Sequence, residues 1–252
     1  MGRAYFLSDV HLGLDYKEPS KREREFVAFL NNLPGDTQAL YLLGDIFDFW
    51  YEYKDVIPNK YTRTLGALAN LADRGVKIYF INGNHDIWTY SYLTKEIGVT
   101  IIKQPYITTI NGIKFCLAHG DGLVKGDYGY KLMNRLFKCR FLQILFIAIH
   151  PRWAFMLAHR WSRHNRLTKV GQDENDVYMG RWMKKLLLYC ANLQRENNGS
   201  IDYFIFGHFH NYSINDVEPG GKLVILGDWI NNPSYVEVTE NEVYPVALFP
   251  KN

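Results

Sequence analysis

Five short motifs place carboxylate, amide and imidazole groups directly after stretches that are typical of β-strands. Such mixed oxygen and nitrogen donors suit Mn²⁺, Fe²⁺ or Zn²⁺ better than Ca²⁺. There are enough of them to hold two ions side by side, an arrangement that serves to attack phosphorus with hydroxide. In chain order the motifs are Asp9-Val10-His11, Gly44-Asp45 with Asp48, Gly83-Asn84-His85-Asp86, His119-Gly120-Asp121 and Gly207-His208-Phe209-His210.

The spacing within the motifs predicts which side chains converge. Residues i and i+2 of a strand point to the same side, so Asp9 with His11, and His208 with His210, are each expected to aim two ligands at one place. Asp45 follows a buried strand and is suited to bridge two cations. A single Gly-Asp is commonly a turn or a helix cap, so the prediction depends on five motifs standing in one order at five strand ends.

Strands and helices alternate in the first part of the chain, which predicts parallel strands joined by right-handed crossovers. Open α/β sheets place their sites at the carboxyl ends of such strands. Residues 125–195 have a helical pattern, whereas strands are predicted again from Ile201. We therefore expect a core formed by residues 1–124 and 196–252, and a helical insertion, the lid, over residues 125–195.

The charge is unevenly distributed along the chain. The net charge is +3, yet residues 128–172 hold nine Lys and Arg and neither Asp nor Glu, which leaves 20 basic and 26 acidic residues elsewhere. A basic and apolar block of this kind faces anions such as phosphate groups, nucleic acid or lipid. The apolar residues of the lid, from Leu136 to Trp161, are equally compatible with simple core packing.

The motifs resemble those of the calcineurin-like metallophosphoesterases, whose pattern is Asp-x-His, Gly-Asp, Gly-Asn-His-Asp, His and Gly-His-x-His. The resemblance implies an α/β fold, a four-layer α/β/β/α sandwich that carries the helical insertion. It also implies a ligand set for two divalent ions. One ion would take Asp9, His11 and His210, the other Asn84, His119 and His208, and Asp45 would bridge them.

Within that family, the segments 9–12, 44–50 and 119–121 and the lid resemble UDP-2,3-diacylglucosamine diphosphatases of lipid A synthesis over nearly the whole chain. This narrower resemblance implies cleavage of an acylated UDP-sugar to UMP and 2,3-diacylglucosamine 1-phosphate, with Mn²⁺ as the usual cofactor and the lid around the acyl chains. The substrate contacts that we expect are Asn84, His85, Asp127, Tyr130, Ser162, Asn165, Arg166, Lys169 and His208.

His85 is the point at which the chain departs from this narrower pattern, because many members have Arg there. In the wider superfamily the His protonates the departing alkoxide. A sugar phosphate leaves well without a proton and an alcohol does not, so His85 also leaves room for monoester or diester hydrolysis. We predict that His85 and Asp86 are catalytic, with His85 oriented by Asp86 or Asp48, and that Trp50 lines the site entrance rather than packing under the second strand.

Two other functions use the same residues. A nuclease or cyclic-nucleotide phosphodiesterase fits the metal motifs, and a basic, aromatic block can follow a nucleic-acid backbone. The lid is densely aliphatic, however, so no nucleic-acid partner is expected. A scaffold that binds without catalysis would have lost ligands, and here none of the seven is missing.

The expected location follows from the first strand and the lid. Residues 4–8 already have a strand pattern before Asp9, so no cleaved leader is expected. The longest apolar run, near 141–149, is too short to span a bilayer, and basic, apolar helices are typical of membrane surfaces. We expect a cytoplasmic protein that associates peripherally with the inner face of the inner membrane through anionic lipid.

Overall fold

The computed structural model describes residues 2–53, 55–124, 128–137, 139–154, 156, 160 and 175–248, with the backbone alone at 128–131, 133 and 175–179. Its strands form two sheets. The first sheet has the order β11-β10-β1-β2-β3-β4, in which β1 to β4 are parallel and β10 and β11 join antiparallel. Its strands are β1 (Arg3–Leu7), β2 (Thr37–Leu42), β3 (Lys77–Ile81), β4 (Val99–Ile102), β10 (Ser234–Val238) and β11 (Val243–Ala247).

The second sheet has the order β5-β6-β7-β9-β8. Its three inner strands are parallel, and the outer strands β5 and β8 are antiparallel to their neighbours. A hairpin joins β5 to β6 through Asn111 and Gly112, whose φ angles of 50° and 84° are those of the tight turn that this dipeptide favours. The strands are β5 (Tyr106–Ile110), β6 (Ile113–Ala118), β7 (Tyr203–Phe206), β8 (Ser213–Asp216) and β9 (Lys222–Ile225).

Helices cover the outer faces of both sheets, and the inner faces pack on each other. Alternation along β1 sends Leu7 towards the helices and Phe6 towards the second sheet, where its ring lies 5.4 Å from that of Phe115. The four-layer α/β/β/α sandwich is thereby confirmed. The helices are α1 (Pro19–Asn31), α2 (Thr62–Asp73), α3 (Tyr92–Lys95), α4 (Tyr128–Phe137), α5 (Arg140–Ile147) and α6 (Asn175–Glu196).

Helix α6 lies almost entirely within the range 125–195 predicted for the lid, but its C-terminal half packs on the core. Its buried Leu186 and Cys190 pack against Phe204 and other residues on the outer face of the second sheet. Because burial of this apolar face stabilises the sandwich, α6 belongs to the core although it lies within 125–195. The lid that the structure describes is therefore represented by α4, α5 and the residues that follow α5.

Trp50 lies in the interior, so the prediction that it lines the site entrance is wrong. Its ring is fully buried, lies 4.5 Å from the ring of Phe47 and donates its Nε1–H to Glu52 at 3.1 Å. The Glu52 carboxylate also accepts the backbone N–H groups of Tyr90 and Ser91 at 2.7 and 2.6 Å. Trp50 thus helps to fix the loop after β3, which carries the third motif, without reaching the site.

The strand directions bring the motifs to one place. Strands β1, β2 and β3 of the first sheet, and β6 and β7 of the second, are each followed directly by one motif. Parallel strands present their carboxyl ends at a common edge. The motif loops of both sheets therefore meet across the edge of the sandwich.

Candidate metal centre

The ligand atoms of the motif residues form three groups; two of them share the Asp45 carboxylate, and the third consists of His11, Asp48 and His85. The first group is Asp9, His11, Asp45 and His210, and the second is Asp45, His119 and His208; within each group the ligand atoms lie within 4.8 Å of one another. The Oδ1 atom of Asn84 lies 3.3 Å from His119 Nε2 and so adjoins the second group. All seven side chains predicted as ligands are thus brought together, as the resemblance implied.

Asp45 lies between the two groups. Its Oδ2 atom is 3.8 Å from His11 Nε2 and 3.4 Å from His119 Nε2, and its Oδ1 atom accepts the His85 backbone N–H at 2.9 Å. One carboxylate oxygen therefore faces an imidazole of each group. This is the position that a bridging ligand requires.

The ligand loops have an uncommon backbone. Asp9, His11, Asp45, His208 and His210 all have φ between 49° and 73°. Such left-handed angles are uncommon for residues with a Cβ and concentrate at functional sites, where they cost about 1–3 kcal/mol each. The reasoning from strand alternation is thus corrected: Asp9 and His11 converge, but through left-handed turns after the strand.

Two glycines allow these loops to approach the carboxylates. A Cβ at Gly83 would overlap the Asp45 carboxylate, and one at Gly207 would lie 2.5 Å from Asp9 Oδ2. Asp9 Oδ2 in turn accepts the His208 N–H at 2.9 Å, which ties a loop of the first sheet to one of the second. A side chain at Gly83 would displace the Asp45 carboxylate, and one at Gly207 would displace the Asp9 carboxylate.

The imidazole nitrogens fit ions of the first transition series. Two nitrogens that bind one ion at about 2.1 Å and at right angles stand about 3.0 Å apart. His11 Nε2 lies 3.2 Å from His210 Nε2 in the first group, and His119 Nε2 lies 3.2 Å from His208 Nδ1 in the second. The spacing and the mixed oxygen and nitrogen donors therefore suit a divalent transition metal in each group.

The electrostatics of the groups also favour cations. Burial raises the pKa of Asp9, but hydrogen bonds with His11 and His210 outweigh burial and hold that pKa well below its ordinary value. Burial likewise opposes ionisation of Asp45, and the neighbouring histidine charges, that of His119 first, keep its pKa low. Both carboxylates are therefore ionised and buried, and a divalent cation would compensate their charge.

The two histidines of the second group have pKa values that shift in opposite directions. Burial lowers the pKa of His119, but the charge of Asp45 outweighs it and holds the pKa well above its ordinary value. Burial and the nearby His119 lower the pKa of His208 to about 4. A proton on His119 thus competes with a metal for the same nitrogen, so metal binding releases protons.

The ring nitrogens that face away from the centre also have partners. His119 Nδ1 lies 2.9 Å from the Leu43 carbonyl oxygen, and His11 Nδ1 lies 3.4 Å from Asp48 Oδ1. A histidine that donates one N–H to such a partner keeps the other nitrogen available for a metal. The Leu43 carbonyl oxygen therefore orients the His119 ring for binding through Nε2, and the Asp48 carboxylate makes an ion-pair contact with the His11 ring.

Asp48, rather than Asp86, is the residue beside His85. His85 Nδ1 lies 2.9 Å from the carbonyl oxygen of Asp48 and 3.6 Å from its Oδ1 atom. The buried Asp86 carboxylate accepts backbone N–H groups instead, from Ile46 at 2.8 Å and Gly83 at 2.8 Å. Asp86 thus joins two motif loops, and the residue that contacts the His85 ring is Asp48; the catalytic role of Asp86 stays a prediction.

Sequence reasoning missed two residues that touch the ligand histidines. Asp228 Oδ2 lies 3.3 Å from His210 Nδ1, and Gln104 Oε1 accepts the His119 backbone N–H at 2.7 Å. Asp228 follows β9, which is parallel to β7, so its position at a carboxyl strand end was an available signal. Gln104 precedes β5 and acts on the backbone, which no motif indicates.

The described part of the lid is attached to the loops that carry Asp48 and His85. Trp88 donates its Nε1–H to the Phe137 carbonyl oxygen at 2.8 Å, and Tyr51 donates its hydroxyl to the Gln143 carbonyl oxygen at 3.0 Å. Phe146 completes an aromatic cluster with these two rings. The lid helices therefore stand beside the metal centre.

Most of the predicted lid contacts fall outside the described residues. This applies to Asp127, Ser162, Asn165, Arg166 and Lys169, and to the side chain of Tyr130. The described side chains of the lid are mostly exposed, including large apolar ones. Among the described residues, no helix has both the length and the apolar character to cross a membrane.

Comparison with known proteins shows which family this sequence matches. The model of the family described as calcineurin-like phosphoesterase matches residues 2–212. A UDP-2,3-diacylglucosamine hydrolase of Porphyromonas gingivalis is 35% identical to this chain, and the match covers 92% of each protein. Proteins of the same name from Neisseria gonorrhoeae and Aeromonas salmonicida are each 29% identical, over 92% and 94% of this chain.

Proposed function

This chain belongs to the calcineurin-like phosphoesterase family, and from that membership we propose that it hydrolyses UDP-2,3-diacylglucosamine to UMP and 2,3-diacylglucosamine 1-phosphate in lipid A synthesis. The family predicted from the motifs is thus confirmed, and the chain is a metal-dependent hydrolase of phosphoric esters. The observation that carries the substrate is similarity over nearly full length to relatives named for that hydrolysis.

In this proposal the seven clustered side chains are the metal ligands. Two metal ions bound side by side would lower the pKa of a shared water so that it supplies hydroxide near neutral pH, and they would bind phosphoryl oxygens. We take Mn²⁺ as the native ion because it is the usual cofactor of the diphosphatases that the motifs resemble, and the mixed oxygen and nitrogen donors are compatible with it. Asp9, His11 and His210 would hold the first ion, Asn84, His119 and His208 would hold the second, and Asp45 would be shared by both.

His85 would donate a proton to a leaving group that requires one, such as an alkoxide, whereas the phosphate released from the proposed substrate departs without it. Its Nδ1 donates to the Asp48 carbonyl oxygen, so Nε2 is the nitrogen left to exchange a proton with substrate. The Asp48 carboxylate lies beside the same ring, with its Oδ1 atom 3.6 Å from Nδ1. Asn84, His85 and His208 are the described residues that contact the phosphoryl groups in this proposal.

An amphiphilic substrate is supported by the surface of the lid. Large apolar side chains of α4, α5 and the following residues are exposed beside basic ones, although burial of such groups is ordinarily favourable. The exposed fractions are 61% for Leu132, 67% for Phe141, 54% for Ile144, 52% for Leu145 and 56% for Trp153. Acyl chains would cover this surface while the pyrophosphate lies at the metal centre.

The substrate is tested by hydrolysis with defined metals. Protein stripped with a chelator and reloaded with Mn²⁺ should release UMP from UDP-2,3-diacylglucosamine in mixed micelles. The same UDP-sugar without acyl chains should have a kcat/KM at least about 100-fold lower, because it cannot cover the apolar surface. Mass spectrometry of the products decides the bond cleaved; hydrolysis of single-stranded DNA alone, or equal rates on both sugars, contradicts the proposal.

The same surface supports the proposed location, a cytoplasmic protein held at the inner face of the inner membrane. Arg135, Arg140 and Arg152 are exposed next to the apolar side chains. Interfacial binding combines apolar burial with attraction to anionic lipid. The surface thus has both parts that peripheral binding requires.

Vesicle binding tests that location. The protein should co-sediment with anionic vesicles at low salt and be released at high salt. Phe141→Glu should weaken binding about tenfold, because the variant no longer inserts this exposed aromatic side chain into the bilayer. Leu188→Glu is the matched control, since Leu188 is 58% exposed but lies on α6, which packs on the second sheet. Equal binding of wild type and Phe141→Glu, or no binding at low salt, contradicts the proposal.

A further inference from the structure

We propose that Asp228 is a positioning residue that sets the tautomer of His210 and so makes its Nε2 a metal ligand. The Asp228 side chain is buried, and its Oδ2 atom lies 3.3 Å from His210 Nδ1. His210 Nε2 faces the first group, 3.2 Å from both Asp9 Oδ1 and His11 Nε2. This inference rests on the ligand assignment under the proposed function.

The loop after β9 fixes the Asp228 carboxylate in one orientation. Its Oδ1 atom accepts the backbone N–H groups of Ile230 at 3.0 Å and Asn231 at 2.6 Å. The next residue, Trp229, donates its backbone N–H to the Asp9 carbonyl oxygen at 3.0 Å. The same short loop therefore holds one ligand by its backbone and presents a carboxylate oxygen to another.

The other oxygen of Asp228 determines where the proton of His210 resides. A carboxylate oxygen only accepts, so it requires an N–H at Nδ1. A neutral imidazole that carries its proton on Nδ1 has a lone pair on Nε2, which is the form that binds a metal. Asp228 thus acts on the ion only through the ring of His210.

Asp228→Asn separates this role from a structural one. The backbone N–H groups of Ile230 and Asn231 still require an acceptor, so the amide oxygen takes the place of Oδ1. The amide NH₂ then faces His210 Nδ1 and requires an acceptor there, which moves the ring proton to Nε2. The loop keeps its backbone hydrogen bonds, yet Nε2 can no longer bind a metal.

The expected result is weaker metal binding without loss of the fold. Asp228→Asn should bind its first Mn²⁺ about 10- to 100-fold more weakly than wild type in a titration of metal-free protein, while it still unfolds in one cooperative thermal transition. Asp216→Asn, which removes an exposed carboxylate on β8, should bind Mn²⁺ as wild type does. In protein loaded with Zn²⁺, the ¹⁵N shifts of the His210 ring should show protonated Nδ1 and unprotonated Nε2 in wild type, and protonated Nε2 in Asp228→Asn.

His210→Ala separates failure of this inference from failure of the ligand assignment. If His210→Ala weakens Mn²⁺ binding and Asp228→Asn does not, the role of Asp228 is refuted and the proposed ligands stand. If neither variant weakens binding, the assignment of His210 as a ligand is wrong and the inference falls with it. An unchanged tautomer in Asp228→Asn also overturns the inference.

Discussion

Asp45→Asn should lower turnover by at least about 1000-fold and remove the tight binding of two metal ions per chain. The reason is the position of Asp45 Oδ2, which faces His11 Nε2 and His119 Nε2 and belongs to both ligand groups. An amide in its place is neutral and coordinates more weakly, so both groups lose their shared charge. Metal content by elemental analysis and initial rates with Mn²⁺ measure the effect.

The fold should survive this change, so the loss is not attributable to unfolding. Asp45 and Asp86 are neighbouring buried carboxyl groups, and burial together with the charge of Asp45 raises the pKa of Asp86 to about 7. Removal of one charge relieves that repulsion in metal-free protein. Asp36→Asn, at an exposed ion pair with Arg3, is the control and should behave as wild type. Two tightly bound ions and normal turnover in Asp45→Asn would refute the bridging role.

His85→Ala should produce the second large effect, and its size should depend on the leaving group. Turnover of an alkyl phosphodiester should fall about 100-fold, because an alkoxide requires a proton as it departs. Turnover of an ester with an acidic phenol should fall much less. Metal content should remain near two ions per chain, because His85 contacts Asp48 and is not one of the seven proposed ligands.

His85→Arg refines this test. An Arg supplies positive charge but cannot be deprotonated in proteins, so it can stabilise a departing phosphate without exchanging a proton. It should retain most of the rate on the UDP-sugar pyrophosphate and lose the rate on the alkyl diester. Unchanged turnover of both substrates in His85→Ala would exclude a catalytic role for His85.

The sequence was sufficient to predict that the proposed ligands lie together, because each motif follows a strand. Within each sheet the carboxyl ends of parallel strands share one edge, and the two sheets pack so that these edges adjoin. The same reasoning did not reach the backbone of the ligands. Alternation predicts extended geometry at Asp9 and His11, whereas both have positive φ, because close contacts between loops override local preference.

Other details depend on how loops pack on one another. Asp48 and Asp86 were equal candidates as the partner of His85, and only the course of the two loops decides for Asp48. Trp is a residue type that often lines the entrance of a site, but Trp50 is buried because Glu52 accepts its indole N–H in the interior. Asp228 belongs to no motif, and its contact with His210 follows from the neighbouring positions of β7 and β9.

The distribution of the ligands along the chain has a consequence for biosynthesis. Asp9 lies near one end of the chain and His210 near the other, and β10 pairs with β1 directly behind the Asp9 loop. A nascent polypeptide on the ribosome therefore holds only fragments of the dinuclear pocket until β10 has emerged. Translation products that end before His208 would lack a proposed ligand of each group and would not form the paired metal centre.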